Sequence, residues 1–420
     1  MDVPSGTRLT LPLRNPNYGV FTAGNGISLI GTWMQRIGVG WLAWELTHSG
    51  LWLGIVAFAD FFPILLIGPI AGAAADRWDR LKVLKVSQVL SLLQATLLFW
   101  LTVSGNVTIG LLVALTAGQG VIVALGQPAR LALISSLVDR SDLASAIAIN
   151  SIIFNLARFI GPMAAGLAIA TSGVAVAFAM NAVSYIAFLL ALFRVRVAPT
   201  ALGSAEPQSF AAELRDGIRY TATHPAIAAL LVLLIAMGIG ARPLNELLPG
   251  FAAEVFRSGA FGYSLLASAI GGGAIVGGLW LGHRAGSSNL TNLAIFTAAG
   301  GALAAAAVSA TTSMWIAVPC IAVFGFCSST AGIAIQTLVQ MASDRSMRGR
   351  VMGLYGLVFR GAPALGALFA GIASTQLGLR LPVLLGAVLV IAVALWTYAG
   401  RARIQEGLRT QVSKREHDGT

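Results

Sequence analysis

The chain has 420 residues, of which 57% are hydrophobic and only 10% are charged, and its mean hydropathy is +0.82. Soluble domains carry about 25% charged residues, so this composition excludes a soluble globular protein and indicates an integral membrane protein. The net charge of +11 does not indicate a nucleic-acid partner, because the Lys and Arg residues sit in alternate loops.

The apolar stretches define the predicted fold. A membrane-spanning helix needs about 20 predominantly apolar residues. We predict an all-α integral membrane protein whose twelve transmembrane helices form two six-helix pseudo-repeat bundles. In chain order, the predicted spans are 18–45, 51–75, 83–104, 108–136, 144–171, 174–193, 226–249, 261–282, 291–311, 314–340, 351–376 and 380–400.

The basic residues predict the orientation of these spans. With the N-terminus inside, the outside loops carry only Arg257 and Arg380. The positive-inside rule therefore places both termini in the cytoplasm. The basic residues of the inside loops are Arg77, Arg80, Lys82, Lys85, Arg140, Arg194, Arg196, Arg215, Arg219, Arg284, Arg345, Arg348 and Arg350.

One long connection divides the chain in half. It predicts an N-terminal six-helix bundle at 1–193, a cytoplasmic linker at 194–225, a C-terminal six-helix bundle at 226–400 and a cytoplasmic tail at 401–420. Apolar residues every four positions within the linker, including Leu214 and Ile218, predict an amphipathic helix. We expect it to lie on the inner membrane surface; packing against protein alone is the alternative.

A short repeat relates the two halves. Asp139-Arg140-Ser141 precedes span five, and Asp344-Arg345-Ser346 precedes span eleven, 205 positions later (344 − 139). Together with the equal division of the chain, this match favours two six-span repeats, an architecture of many secondary transporters.

Arg36 and Asp60 interrupt apolar stretches in adjacent spans, each about 13 Å from the outer end of its span. They can therefore meet. An ionisable residue at membrane depth costs about 2.5 to 3.5 kcal/mol unless it is paired or hydrated, and it indicates a transport site. Asp60 is our first candidate for proton coupling. A permanent ion pair with Arg36 and a direct substrate contact are the alternatives.

Span seven contains a second polar group, Arg242-Pro243-Leu244-Asn245-Glu246. The proline removes a helix hydrogen bond, and polar groups beside it can face a cavity. Glu246 is the second proton candidate, with simple hydration near the outer end as the alternative. Arg158 and Arg360 occupy comparable places in spans five and eleven, either in the transport site or as braces to backbone carbonyls.

Span one carries a polar stripe at intervals of three, four and three residues, which places its members on one helical face. Such a stripe needs water or polar partners. Trp33 is the only tryptophan predicted to lie deep in the bilayer. The candidate cavity-lining residues are Asn25, Ser28, Thr32, Trp33, Gln35 and Asn245.

The inside connection between spans two and three is short and charged. Gly72 leaves room where two helix ends approach, and the carboxylate of Asp76 can accept hydrogen bonds from a helix N-terminus or an arginine. A positive-inside turn with no switching role is the alternative. The loop resembles the signature of the major facilitator superfamily, which implies a gating latch. The matching residues are Gly72, Asp76, Arg77, Arg80 and Lys82.

A narrower resemblance is to the bacterial efflux branch that includes the enterobactin exporters. It rests on residues 31–35, 76–80, 128–130, 155–162 and 348–351. Span five also resembles the antiporter motif at Gly161, Pro162 and Gly166, which implies antiport. We therefore expect proton-driven export of a small amphiphilic compound, a drug or siderophore-like metabolite, across the bacterial cytoplasmic (inner) membrane. The family resemblance also implies that spans one, four, seven and ten line the cavity.

Other classes of function lack their residues. No nucleophile and base constellation and no nucleotide-binding Gly-rich loop is present, so we expect neither an enzyme nor a pump driven by nucleotide. The expected partners are a small-molecule substrate, protons and the lipid bilayer, with no cofactor, no metal and no nucleic acid, and the chain is expected to be a monomer. A facilitative transporter or importer and a non-transporting scaffold are the alternatives.

Overall fold

A computed structural model describes residues 11–75, 78–197, 210–284, 289–402 and 404–406. Within these ranges the chain forms helices and short connections, and no β-strand occurs there. The first half of the chain forms six long helices. They are α1 (Pro16–Thr47), α2 (Gly50–Ala75), α3 (Arg80–Val103), α4 (Ile109–Leu137), α5 (Leu143–Ser172) and α6 (Ala175–Arg194).

The second half begins with a shorter helix and a segment of interrupted helix. Span seven consists of α8, a π-helical turn at Met237–Ala241, α9 and a second π-helical turn at Phe251–Val255. The α-helices of this half are α7 (Phe210–Thr223), α8 (Pro225–Ala236), α9 (Pro243–Gly250), α10 (Gly259–His283), α11 (Leu290–Ala310), α12 (Met314–Ala342), α13 (Arg348–Leu377) and α14 (Arg380–Ala399).

The predicted set of spans is confirmed. Eleven helical segments in the described part of the chain are long and apolar enough to cross a membrane. The 32-residue α1 is the twelfth. Polar side chains, Gln35 and Arg36 among them, interrupt its apolar sequence, and it is not one of the eleven. Most helix bounds lie within about three residues of the predicted ones, because the lengths of the apolar stretches determine them. Span seven is the exception, since it continues to Val255 and the predicted end was residue 249.

Local sequence determines how several helices begin. The side chain of Asn15 accepts a hydrogen bond from the backbone N–H of Asn17 at 3.0 Å, and Pro16 occupies the first turn of α1. Asp79 caps α3 by accepting from the N–H groups of Leu81 and Lys82, at 3.0 and 3.1 Å. Both arrangements satisfy donors that a helix N-terminus leaves without a partner inside the helix.

Contacts divide the described residues into two compact units. The first unit contains the described residues of Met1–His48, Ala59–Glu206 and Ser258–Ser268. The second contains those of Ser49–Phe58, Pro207–Arg257 and Ala269–Thr420. The beginning of α2 is thus grouped with the second unit, and the beginning of α10 with the first.

The first unit has an apolar core between its helices. Tyr18, Phe21 and Phe188 are buried there, and the Phe21 and Phe188 rings meet edge to face at 5.6 Å. The Tyr18 hydroxyl donates to the carbonyl of Ala146 at 3.0 Å. Large apolar side chains elsewhere on these helices, such as Val183, remain exposed, as expected for surfaces that contact lipid.

Glycines bring helix backbones together in the second unit. A Cβ added to Gly240 would overlap the carbonyl oxygen of Gly386 in α14, and one added to Gly54 would overlap that of Ala367 in α13. Gly238 packs against Ala362 in the same way. Small residues permit such close helix packing in membranes. The contacts of Gly238 and Gly240 hold the π-helical turn of span seven against α13 and α14, respectively.

The predicted linker helix is present as α7, and it packs on the beginning of α13. Asp216 Oδ2 lies 3.8 Å from Arg350 Nη1, and the Tyr220 hydroxyl donates to Asp344 Oδ2 at 2.9 Å. One side of α7 therefore packs against protein. Ile218, on the side predicted to face the membrane, is 50% exposed. The position of α7 on the membrane surface stays a prediction.

Candidate functional site

Arg36 and Asp60 form an ion pair between α1 and α2, as their predicted depths suggested. Arg36 Nη1 lies 3.7 Å from Asp60 Oδ2, and the two side chains are 34% and 30% exposed. The Arg36 guanidinium also lies 5.1 Å from the centre of the Phe61 ring and 5.6 Å from that of Trp33. Aromatic faces attract a cation. Arg36 is thus held by a carboxylate and two rings within apolar helices.

Trp33 links this pair to α5. The guanidinium of Arg158 lies 5.8 Å from the centre of the Trp33 ring, and Phe154 meets the same ring edge to face at 6.0 Å. The structure therefore places Trp33 and Arg158, which the sequence singled out separately, next to the predicted Arg36–Asp60 pair. We call this group the first-unit charged cluster: Arg36, Asp60, Trp33 and Arg158.

The packing of α2 against α4 positions Asp60. Gly120 of α4 has no side chain, and the Asp60 carbonyl oxygen occupies the adjacent space, only 2.6 Å from where a Cβ would lie. Pro63 follows within the same helix and contacts the same glycine. Because proline removes a backbone donor, the helix loses one intrahelical hydrogen bond next to Asp60.

The polar stripe of α1 forms a buried network with α3 and α6. Gln35 Nε2 donates to Gln94 Oε1 at 2.9 Å, and Asn181 Nδ2 donates to Gln35 Oε1 at 2.8 Å. Ser184 Oγ in turn donates to Asn181 Oδ1 at 3.0 Å. Polar groups in an apolar environment require such partners, so Gln35 joins three helices.

Two of the remaining stripe residues make longer contacts. Ser28 Oγ lies 3.4 Å from Gln88 Oε1, and Asn25 Nδ2 lies 3.4 Å from Asn150 Oδ1. Thr32 Oγ1 donates to the Ser28 carbonyl at 2.8 Å. Asn25 and Ser28 are almost completely buried. The structure shows how the stripe packs within the first unit, and its role in lining a passage stays a prediction.

Sequence reasoning missed the partners of this stripe on α3, α4 and α6. Gln88, Ser91 and Gln94 recur at intervals of three on α3, so the criterion that found the α1 stripe would also have found them. Gln119 of α4 donates to Ser91 Oγ at 3.2 Å and to the Tyr185 hydroxyl at 3.3 Å. Single polar residues such as Gln119 carry no spacing signal.

Arg242 follows directly after the first π-helical turn of span seven. Its Nη1 donates to the carbonyl of Phe359 in α13 at 3.2 Å, and its guanidinium lies 4.3 Å from the centre of the Phe359 ring. Tyr355 stacks on Phe359 with ring centres 5.7 Å apart, and its hydroxyl donates to the carbonyl of Gly332 at 3.2 Å. π-Helical turns occur frequently at functional sites.

The other candidates of the second unit lie close by in sequence. Asn245 and Glu246 are partly buried in the first turn of α9. Arg360 directly follows Phe359 but is exposed. The partners of Arg242 are the carbonyl and the ring of Phe359, and the described contacts show no aromatic ring shared with Arg360.

The predicted gating loop is described only in part. Gly72 lies within α2, whereas Asp76 and Arg77 lie outside the described residues. Arg80 Nη1 donates to Ser136 Oγ at 3.2 Å, near the end of α4. Lys82 Nζ lies 3.9 Å from Asp79 Oδ2 in an exposed ion pair.

In the described part of the chain, twelve helical segments are long enough to cross a membrane, and a carboxylate–guanidinium pair joins the first two of them. This arrangement is that of a multi-pass membrane protein with a charged site at membrane depth. A charge at membrane depth that can gain or lose a proton is suited to coupling solute movement to an ion gradient. The chain belongs to the transmembrane secretion effector family of the major facilitator superfamily, whose sequence model matches residues 8–418. The resemblance drawn from the sequence motifs is thereby confirmed.

Curated relatives are membrane transporters of bacteria. The chain is 30% identical to the staphyloferrin A transporter of Staphylococcus aureus over 60% of this chain and 64% of that protein, so it spans less than two thirds of that relative. It is 28% identical to the multidrug efflux pump Tap of Mycolicibacterium fortuitum, with 88% and 92% covered. It is 27% identical to the enterobactin exporter EntS of Shigella flexneri, with 86% of each covered.

Solved structures share the fold at low sequence identity. The nucleoside transporter NupG gives a TM-score of 0.69 at 14% identity and covers 91% of this chain and 98% of its own. A bacterial homologue of the human lysosomal transporter Spinster also gives 0.69, at 15% identity, with 96% and 98% covered. At these identities the likeness establishes the fold alone.

Proposed function

We propose that this chain exports a small amphiphilic compound, a drug or siderophore-like metabolite, in exchange for protons. The names of its relatives support export, since they include an efflux pump and an exporter. The observation that carries proton exchange is the Arg36–Asp60 ion pair, with 3.7 Å between Nη1 and Oδ2 inside two apolar spans.

The pair supplies two states that differ by one proton. With Asp60 ionised, its carboxylate compensates the Arg36 charge, which Trp33 and Phe61 also attract. With Asp60 protonated, the ion pair is lost and Arg36 depends on its remaining contacts. Because unpaired charge is costly at membrane depth, the two states favour different surroundings for Arg36. Such a difference couples proton binding to conformation.

The proposed transport cycle uses the two halves of the chain as moving parts. In this proposal the bundles at 1–193 and 226–400 alternate access to a site at mid-membrane, while the 194–225 linker and both termini stay in the cytoplasm. The protein lies in the bacterial inner membrane and works as a monomer. Asp76, Arg77 and Arg80 act as the latch of the gating loop, and the polar stripe of α1 lines the passage.

The test uses inside-out membrane vesicles that are acidified internally and contain a pH-sensitive acridine dye. A compound that the wild-type chain exchanges for protons restores the dye fluorescence. We expect Asp60→Asn to abolish this response, because the amide cannot release a proton, while binding of the same compound stays measurable. Asp79→Asn is the matched control, since it removes a carboxylate at an exposed helix cap where asparagine also caps well.

Each outcome distinguishes proton coupling from its alternatives. If the ion pair has only a structural role, Asp60→Asn should lower the amount of folded protein and leave proton exchange per folded molecule unchanged. That result would contradict our proposal. Passive uptake of the compound by the Asp60→Asn vesicles, without proton movement, would show that the site still conducts and that Asp60 alone carries the proton.

A further inference from the structure

Arg242 lies near the middle of its span. Span seven runs from Pro225 to Val255, so Arg242 is 17 residues from one end (242 − 225) and 13 from the other (255 − 242). These separations correspond to about 25 and 20 Å of helix. The guanidinium thus lies at a depth where a positive charge has a large desolvation cost unless an anion or water compensates it.

The contacts of Arg242 compensate that charge only in part. Its partners are the Phe359 carbonyl at 3.2 Å and the Phe359 ring at 4.3 Å. Among the described residues, no carboxylate forms an ion pair with it. A guanidinium has five N–H donors in a planar fork that suits a carboxylate. Most of this donor capacity has no protein acceptor in the described part of the chain.

Comparison with the first half shows what Arg242 lacks. Arg36 lies 206 positions before Arg242 (242 − 36), close to the 205-residue offset of the repeated tripeptide. Both arginines contact aromatic rings. The residue 206 positions after Asp60 is Leu266 (60 + 206), which is completely buried. The first half therefore supplies an acid to its arginine, and the second half has leucine at the corresponding position.

Asn245 provides a second group without a partner. Its side-chain oxygen is buried and accepts no hydrogen bond from the described residues. Asn245 follows Arg242 by three positions, which places both on one face of the chain as it enters α9. A buried acceptor without a donor is costly. A ligand with a hydroxyl or N–H group would satisfy it.

Helix α12 approaches the guanidinium at a glycine. Gly332 is the α12 residue next to it, and a Cβ added there would meet Arg242 Nη2 at 4.0 Å and the Phe359 ring at 3.7 Å. Because Gly332 has no side chain, a group the size of a methyl would fit between this position of α12 and the guanidinium at ordinary van der Waals distance. Tyr355 fixes the Gly332 carbonyl by donating to it, which keeps this wall in place.

We infer that Arg242 binds the carboxylate of an anionic substrate, and that Asn245 accepts a hydrogen bond from a hydroxyl or N–H group of the same molecule. This inference rests on the proposed transport function and specifies its substrate class, small organic hydroxycarboxylates. Arg242 is then a substrate anchor without a role in proton transfer. In this scheme the first half of the chain binds the proton, at the acid beside Arg36, and the second half binds the anionic substrate, at Arg242.

The probe is 3-hydroxy-2-naphthoate, a fluorescent hydroxycarboxylate, and its neutral counterpart is 3-hydroxy-2-naphthamide. Binding of both to the purified full chain in detergent is followed by fluorescence anisotropy at neutral pH. We expect the wild-type chain to bind the carboxylate at least about tenfold more tightly than the amide, as charge-assisted hydrogen bonds predict. Arg242→Gln should remove this preference, and Arg242→Lys should keep part of it.

Arg401→Gln is a closely matched control. Arg401 Nη1 donates to the carbonyl of Tyr398 at 3.0 Å, and its guanidinium lies 3.9 Å from the centre of the Tyr398 ring. It therefore makes the same two contacts as Arg242, but after the end of the last span. We expect Arg401→Gln to retain the preference for the carboxylate. Equal binding of both probes to the wild-type chain, including no binding of either, would overturn the inference, as would a preserved preference in Arg242→Gln.

A second measurement keeps the inference testable if Arg242→Gln does not fold. Phenylglyoxal modifies accessible arginines, and mass spectrometry of the peptide that contains Arg242 reports modification at that residue in the wild-type chain. Protection by the naphthoate but not by the naphthamide would support the inference, whereas equal modification with and without the naphthoate would overturn it. No pH gradient is used, so failure of proton coupling at Asp60 does not affect either readout.

Discussion

Gln35 joins three helices of the first unit, and its replacement tests whether the buried polar network stabilises the fold. Gln35→Met keeps the length and volume of the side chain but removes its donor and its acceptor. The Oε1 of Gln94 and the Nδ2 of Asn181 then lose the partners that now lie at 2.9 and 2.8 Å. Both partner residues are buried, so water cannot readily replace Gln35.

The expected loss follows from these two bonds. Hydrogen bonds between membrane helices contribute about 0.6 kcal/mol on average and up to about 1.7 kcal/mol, so two of them predict a loss of about 1 to 3 kcal/mol. Packing contributes little to this difference, because methionine nearly conserves the volume. The change in the free energy of unfolding therefore reflects mainly the two lost hydrogen bonds.

The assay is equilibrium unfolding of the purified chain by SDS in mixed micelles, followed by tryptophan fluorescence. Gln376→Met is the control, since Gln376 is exposed near the end of α13. If Gln35→Met changed the free energy of unfolding by the same amount as Gln376→Met, within about 0.5 kcal/mol, our account of the network would be wrong.

Two further predictions concern the second unit. Burial lowers the pKa of the His224 imidazole, and the nearby Asp344 carboxylate offsets part of this shift. The unfolded chain therefore binds the proton more readily than the folded chain. As a result, the melting temperature should fall as the pH decreases below about 6.5. His224→Asn should flatten this dependence in thermal melts, and an unchanged slope would contradict the assignment. Gly54→Ala should destabilise the fold by about 1 to 3 kcal/mol, because a Cβ would overlap the Ala367 carbonyl oxygen. Gly118→Ala, whose Cβ would meet nothing within 4 Å, is the control, and equal unfolding free energies for the two variants would refute the packing argument.

The spans and the Arg36–Asp60 pair could be predicted from sequence because both depend on one-dimensional information. The length of an apolar stretch determines whether it can cross the membrane. Equal depth in adjacent helices is enough to bring two opposite charges within reach. The cap formed by Asp79 was not predicted, because the predicted span begins at residue 83 whereas the helix begins at Arg80.

The remainder of the site depends on tertiary packing. Gln35 has partners 59 and 146 positions away in sequence, and no local pattern selects these residues among the polar side chains of other helices. The π-helical turn before Arg242 has no distinctive composition, because it arises from a shift of backbone hydrogen bonds. Arg242 contacts Phe359 of α13 close to the point where Gly238 of this turn packs against Ala362 of the same helix.

Proton release on binding tests the central claim most directly. A compound that the wild-type chain transports is added to purified protein in weakly buffered detergent solution at a series of values from about pH 4 to 7. The lower values populate the protonated state of Asp60, and a pH indicator records the protons released per molecule bound. Our account predicts net release by the wild-type chain and by Asp79→Asn, and none by Asp60→Asn. Equal release by wild type and Asp60→Asn would show that another group carries the proton, and would contradict the account.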